Sequence, residues 1–384
     1  MPTFMEAETR TKYRIFISYS SADKDQKEII SNILKENNLC PVSNSEFSLG
    51  HGFLDQIKKF IAHSYVFMPV ISKSSNKSGW VHEEIGLAIA HNIPVLPIVI
   101  EKNSMPTDMI QEFQAIISIL KTVDNEVPQK EIIELTNKLT WPEIDKLIKM
   151  SERGPRRPIY ECAYLHLERT MMLVDYASEI ANFFSDQSKL FRQSGGLSSF
   201  HIPSSSPDGE EFRLRYFGGN ERVDTLNQNL REERIIFEKF AREWGFKLII
   251  NLDLRFEESK ENALIIRKSR LNTLLKFFKG LPQSPEKSGC RFEVIIDGNL
   301  NKHRNIIIVG DLFMAESLAG YQGQGLKQTM FTRHAATIKK QIELFDTRFD
   351  ELKYKQSANT SIEQVMGEIG KRLEIIENEL NSRK

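Results

Sequence analysis

Residues 13–36 read YRIFISYSSADKDQKEIISNILKE, and this stretch decides the fold of the N-terminal part of the chain. Tyr13–Tyr19 is an apolar run of strand length without strict alternation, the pattern of a strand covered on both faces. Asp23–Glu36 follows with apolar residues at Ile29, Ile30, Ile33 and Leu34, a helical spacing. A buried strand running directly into an amphipathic helix is the opening unit of a parallel sheet.

The same alternation continues outward. A weaker strand lies near Leu39–Val42, and a loop over Ser43–Gly52 leads into a helix over Phe53–His63. Strand Tyr65–Ile71, a serine-rich loop from Ser72 to Gly79, helix Trp80–His91 and strand Pro94–Ile100 come next. A last strand near Ile116–Lys121 and a helix over Gln129–Leu139 complete a five-stranded, doubly wound α/β domain.

Two motifs stand in this frame. The first strand ends as Phe16-Ile17-Ser18-Tyr19-Ser20-Ser21-Ala22-Asp23, and the helix after the third strand opens Trp80-Val81-His82-Glu83-Glu84-Ile85. In that order and context they resemble the FISYSSAD and W-x-x-x-E segments of TIR (Toll/interleukin-1 receptor) domains of the NAD-cleaving, bacterial type. The resemblance covers residues 13–142 and implies a flavodoxin-like strand order, 2-1-3-4-5. In such a sheet ligands bind outside the carboxyl ends of the strands, at the switch point between strands one and three. Trp80 and Glu84 are four residues apart and share a helix face; Glu83 points about 100° away, so only one of the two glutamates can face the crevice.

The resemblance assigns Glu84 the catalytic role in cleaving the nicotinamide–ribose bond of NAD. One carboxylate suffices for this chemistry. Nicotinamide is bonded through a cationic nitrogen and leaves as a neutral base, so no general acid is required, in contrast to glycosidases. The electron-poor ribosyl cation is stabilised electrostatically by an oriented carboxylate. The competing reading of Glu84 is a capping or solvated residue favoured by the helix dipole. Ser18, Tyr19, Ser20 and Ser21 are the candidate substrate-binding residues of the first loop. The serines either donate hydrogen bonds to phosphate or ribose or cap the first helix. Trp80 supplies an aromatic plane. Phe47 and Phe53 either stack on a ring of NAD or belong to the core. The loop Ser43–Gly52 corresponds to the assembly loop of TIR domains but has Ser48-Leu49-Gly50 in place of the usual acidic residue and Pro-Gly pair. His51 and His63 are expected at the surface.

Composition bounds the alternatives. The chain has 384 residues, enough for two or three domains, and its 52 basic and 52 acidic residues cancel. That balance argues against nucleic acid as a partner. The three cysteines, Cys40, Cys162 and Cys290, show no metal or disulfide spacing, in keeping with a cytoplasmic protein. No segment has the roughly 20 apolar residues needed to span a bilayer. No metal and no cofactor are expected, NAD being the substrate.

The expected organisation is a tail over 1–12, the TIR domain over 13–142, a linker over 143–159, a second α/β or α+β domain over 160–355 and a C-terminal amphipathic helix over 356–384. In the second domain a long helix is read over Tyr160–Phe191 and another over Asn227–Trp244, with strands at Phe246–Asp253, Phe292–Asp297, Asn305–Val309 and Gln328–Thr332. The strand pair around Lys302-His303-Arg304-Asn305 is loosely similar to a phospholipase D-like fold. That chemistry needs His-x-Lys, which occurs nowhere in the chain. At the C-terminus Ile362, Met366, Ile369, Leu373, Ile376 and Leu380 form a heptad seam of under three heptads, compatible with docking onto its own domain or with a coiled coil.

Taken with the resemblance, the expectation is an NAD glycohydrolase, or ADP-ribosyl cyclase, acting in antiviral defence. It would work as a homo-oligomer assembled through TIR domains, with a small signalling ligand at the second domain and no membrane. The alternative is a non-enzymatic scaffold that signals through TIR–TIR contacts.

Overall fold

The structure, a computed structural model, describes residues 12–43, 53–104, 113–121, 127–152, 160–195, 220–253, 260–287, 289, 291–300, 304–319, 326–356 and 361–382. It divides into two compact units, Met1–Ile159 with Arg333–Thr337, and Tyr160–Thr332 with Ile338–Lys384.

In the first unit, strands β1 (Arg14–Ser18), β2 (Cys40–Val42), β3 (Val66–Ile71), β4 (Ile98–Glu101) and β5 (Ile116–Lys121) form one sheet in the order β2-β1-β3-β4-β5. All its pairings are parallel, with Ser18 opposite Pro69 across β1 and β3. This is the doubly wound, flavodoxin-like sheet expected from the sequence. Every residue of β1 and of β3 is buried, as central strands of a parallel sheet must be.

The helices are α1 (Lys24–Glu36), α2 (Phe53–Ala62), α3 (Gly79–Ala90), α4 (Gln129–Lys138) and α5 (Trp141–Glu152). Helix α1 buries Ile30, Ile33 and Leu34 on one stripe against the sheet, each worth about 1.5–3 kcal/mol on full burial. It stops where Asn38 takes a left-handed φ of 58° and the Leu39 N–H bonds back to the Leu34 carbonyl at 2.9 Å. The stretch read as a linker begins with α5. Its Ile144 and Ile148 lie in the same core as Ile15 and Ile17, and its Trp141 ring stacks on Tyr13 at 5.1 Å.

His63 corrects the sequence reading. Expected at the surface, it is fully buried at the end of α2, where its carbonyl accepts from Arg14 Nε at 2.9 Å. The following strand starts three residues later, at Val66, so the chain has no room to reach solvent there.

The second unit holds a seven-stranded mixed sheet. Its strands are β6 (Glu161–Ala163), β7 (Phe191–Gly195), β8 (Phe246–Ile250), β9 (Phe292–Ile296), β10 (Arg304–Val309), β11 (Phe313–Ala319) and β12 (Leu326–Thr332), in the order β6-β12-β11-β10-β7-β8-β9. Its helices are α6 (His166–Phe183), α7 (Asn220–Trp244), α8 (Lys260–Lys279), α9 (Ala335–Gln356, which belongs to this unit from Ile338 onward) and α10 (Ile362–Asn381). The single long helix read over Tyr160–Phe191 is therefore wrong. A short strand precedes α6, and a turn closed by the Gln187 N–H on the Phe184 carbonyl at 3.2 Å leads the chain into β7, whose apolar opening Phe191 had read as the end of the helix. Strand β11 was not anticipated, because its residues FMAESLA mix small and polar side chains without strict alternation.

Helix α10 is capped by Ser361 Oγ, which accepts from the Gln364 N–H at 3.2 Å. It buries Val365, Ile369 and Ile376, and Arg372 reaches Asp253 at 3.1 Å while Glu377 meets Lys268 of α8 at 2.9 Å. The heptad seam thus docks on its own unit.

Candidate active site

Ser18 closes β1 and Ile71 closes β3, so the chain leaves two neighbouring parallel strands at the same edge of the sheet. That edge is the switch point of the first unit. Between β3 and α3 the backbone is pinned by serine hydroxyls. Ser75 Oγ accepts from the Ser72 N–H at 2.8 Å, and Ser72 Oγ accepts from the N–H groups of Ser74 at 3.1 Å and Ser75 at 3.0 Å. Ser78 then caps α3, its Oγ accepting from the Val81 N–H at 3.4 Å. The start of α3, and with it Glu84 one turn later, is fixed by these contacts.

Of the two adjacent glutamates, Glu83 is exposed and Glu84 is 3% exposed. Ser18 Oγ, itself fully buried, donates to Glu84 Oε2, while Glu84 Oε1 has no hydrogen-bond partner among the described residues. Burial pushes the Glu84 carboxyl up from its ordinary 4.5 to about 7, against hydrogen bonds from the side chains of Ser18 and Trp80, which pull it down. Trp80 is half-buried. Three of the residues singled out in the sequence, Ser18, Trp80 and Glu84, thus converge on one carboxyl group. An oriented, desolvated carboxylate with one oxygen unpartnered among the described residues can stabilise positive charge that develops beside it.

The other candidates lie elsewhere or differently. Tyr19 and Ser20 are half-buried and Ser21 is exposed. The Tyr19 ring lies 5.8 Å from Lys27 Nζ. Ser20 accepts from the Asp23 N–H through its carbonyl at 2.8 Å, and its side chain does not cap the helical turn that follows. Phe53 opens α2. Phe47 and His51 lie outside the described residues.

The structure also shows a supporting centre that the sequence reading missed. Asp23, fully buried at the end of the first motif, accepts from Ser72 Oγ at 2.6 Å and from Lys121 Nζ at 2.8 Å. One carboxylate therefore ties the loop after β1 to the loop after β3 and to the end of β5. A cation closing an otherwise apolar strand, as Lys121 does, was the available signal.

Among the described residues no group of three or more His, Cys, Asp or Glu could hold a metal ion. None of the described helices is long and apolar enough to cross a membrane.

A parallel sheet in this order with a buried, aromatic-flanked carboxylate at its switch point defines a class of α/β domain, and comparison with known proteins specifies it. Residues 15–130 match the family model described as the TIR domain. Among solved structures the chain is similar to the TIR domain of the Toll-related receptor TRR-2 from the lower metazoan Hydra magnipapillata. The identity is 14%, over 36% of this chain and 98% of that one, with a TM-score of 0.29. No curated protein matches. Residues 15–130 are a TIR domain.

Proposed function

We propose that this TIR domain is an NAD glycohydrolase with Glu84 as its catalytic carboxylate. The observation that carries the reading is the state of that side chain: 3% exposed, oriented by Ser18, and with Oε1 unpartnered among the described residues. A fold keeps a buried carboxyl poised near neutrality only at a cost, which a functional role offsets. The pyridinium charge of NAD beside Glu84 favours its ionised form. The carboxylate then faces the ribosyl cation as neutral nicotinamide departs, and water, or a nucleophile within the ADP-ribose itself, takes its place. Linear ADP-ribose or a cyclic product follows from which one attacks. Trp80 orients the carboxyl and offers a ring face to the substrate, and Ser20 and Ser21 border the phosphates or ribose.

TIR domains commonly self-associate, and we propose that turnover here depends on assembly of copies of the chain, in the setting of a defence effector. The test is nicotinamide release from NAD by the full chain and by Glu84→Gln. Release abolished by the substitution establishes the enzyme; release that persists unchanged assigns the chemistry elsewhere.

The second reading, a scaffold signalling through TIR–TIR contacts, draws on the same Ser18–Glu84 bond, because that bond also ties α3 to β1 as a strut. A strut leaves wild-type protein without NAD cleavage at any concentration and makes Glu84→Gln neutral or destabilising.

A further inference from the structure

The first unit is discontinuous in sequence. Besides Met1–Ile159 it takes in Arg333–Thr337, which joins the end of β12 to the start of α9. Ala335 and Ala336 are buried in the core that also holds Tyr13, Ile15 and Ile17. The chain on either side is anchored in the second unit. Phe331 of β12 is fully buried, and Ile338, also fully buried, shares a core with Phe345 and Phe349. Residues from late in the chain thus complete the unit that carries the TIR domain, and they are held at both ends by a different core.

His334 uses both of its ring nitrogens in this segment. Nδ1 accepts from the Thr337 N–H at 3.3 Å and stands 2.8 Å from Thr337 Oγ1, which makes His334 the N-cap of α9. A ring nitrogen that accepts carries no proton, so the neutral imidazole has its proton on Nε2. The ring also bonds to the backbone of Asn92, and Nε2 is the nitrogen left to make that bond. Burial holds the imidazole below its ordinary range against the upward pull of the Asn92 bond, and neighbouring His91 lowers it further, so the ring is neutral at neutral pH.

Asn92 is where α3 ends. It takes a left-handed φ of 55°, its N–H bonds to the Ile89 carbonyl at 3.0 Å, and the Ile93 N–H bonds to the Ala88 carbonyl at 3.0 Å. Ala88 is fully buried one turn beyond Glu84, on the same face of the helix. The first turn of α3 is fixed by the Ser78 cap, and its last turn by the bonds around Asn92. Glu84 therefore stands within a helix pinned at both ends.

We propose that His334 is a positioning residue for Glu84: it latches the end of α3 to a segment anchored in the second unit, so that the catalytic helix takes its place partly from residues late in the chain. The step from α3 to activity rests on the reading of Glu84 as the catalytic carboxylate; the step from His334 to α3 does not. A misplacement of about 1 Å that arises far from the chemistry is enough to slow a reaction that depends on orientation. Strain at the junction of β12 and α9 thereby has a physical route to the Glu84 carboxylate.

Two substitutions separate the two roles of the ring. Asparagine puts its carbonyl where Nδ1 stands and keeps the cap on α9, but it is too short to reach Asn92. Glutamine puts its amide N–H where Nε2 stands, keeping the bond to Asn92 and giving up the cap. The measurement is amide hydrogen exchange of the full chain over Glu84–Ile93 and Thr337–Phe345, with the kinetics of nicotinamide release in parallel. His334→Asn should speed exchange at the end of α3 by about 2- to 12-fold, the worth of one neutral hydrogen bond, and leave the start of α9 unchanged. It should also lower kcat without raising KM. His334→Gln should do the opposite in exchange, quickening the start of α9 and leaving the end of α3 as in wild type. Unchanged exchange at the end of α3 in His334→Asn overturns the latch. Faster exchange there with kcat intact, in a chain whose nicotinamide release depends on Glu84, overturns the positioning role. Absence of release from wild type removes the Glu84 reading and with it the step to activity, whereas exchange decides the latch in either case.

Discussion

Replacing Glu84 by glutamine should stabilise the protein at neutral and mildly alkaline pH while leaving it unchanged in acid. The Glu84 carboxyl is raised from 4.5 to about 7 in the fold, chiefly by burial. A carboxyl whose folded pKa lies above its unfolded one favours folding most when protonated. Its contribution is fully present below about 4.5 and is lost as the pH rises through about 7. At roughly 1.36 kcal/mol per unit, the loss is about 3 kcal/mol. With the side chain only 3% exposed, solvent screening takes little from that figure. Glutamine has the hydrogen-bonding pattern of the protonated acid, accepting from Ser18 through its carbonyl, and it cannot ionise. The two proteins should therefore coincide near pH 4.5 and diverge to about 3 kcal/mol near pH 8, equivalent to roughly 6–12 °C in melting temperature for a unit of this size. Guanidinium unfolding of wild type and Glu84→Gln across that pH range isolates the residue, because every other titration cancels in the difference. Parallel stability curves would refute the reasoning. A glutamine variant less stable than wild type at pH 8 would mark Glu84 as a strut between β1 and α3 rather than a strained functional group.

Three further outcomes follow from the same geometry. If Glu84 must be ionised to act, kcat/KM for nicotinamide release falls tenfold per unit below about pH 7, and Ser18→Ala, which removes a bond that lowers the carboxyl, moves the midpoint upward; a pH–rate series reads both. Asp23→Asn, which weakens charge-assisted bonds to Ser72 and Lys121, should cost about 2 kcal/mol in chemical unfolding and lower turnover by loosening the loop that positions α3, without shifting the pH midpoint. In the second unit Ile369→Ala should cost about 2–5 kcal/mol, because the side chain is fully buried. Arg372→Ala should cost under about 1 kcal/mol, because its partner Asp253 is half exposed; comparing the two melts tests whether apolar burial rather than ion pairing docks α10.

How much of this was legible in the sequence depended on whether local pattern and tertiary role agreed. In β1 and β3 they agree: central parallel strands are buried on both faces, and VFMPVI shows it without further context. The choice between Glu83 and Glu84 was also open to sequence, since one helical step separates exposed from buried once Trp80 marks the inner face. Lys121 and Ser72 were not legible as partners of Asp23, because their convergence depends on how far β3 and β5 run past one another across the sheet, a tertiary quantity. His63 failed for a related reason. A histidine at a helix end is normally solvated, and only the immediate start of β3 buries it.

Strand β7 is the sharpest case. FRQSG carries Phe191 and Gln193 on the same face, and a glutamine two residues after a core phenylalanine does not read as a buried strand position. The same conflict between pattern and environment that concealed β7 leaves the Gln193 amide unpaired among the described residues. Glu84 presents the same conflict in the TIR domain, a charged side chain buried at the start of a helix whose surface could have solvated it. At most positions propensity, pattern and packing agree, and where they part a fold bears a local cost. At Glu84 the proposed catalytic role would offset that cost. Stability should therefore rise when Glu84 is replaced by an isostere that resolves the conflict, and NAD cleavage should fall with it. Stability and activity moving together in that variant would place Glu84 among the structural residues.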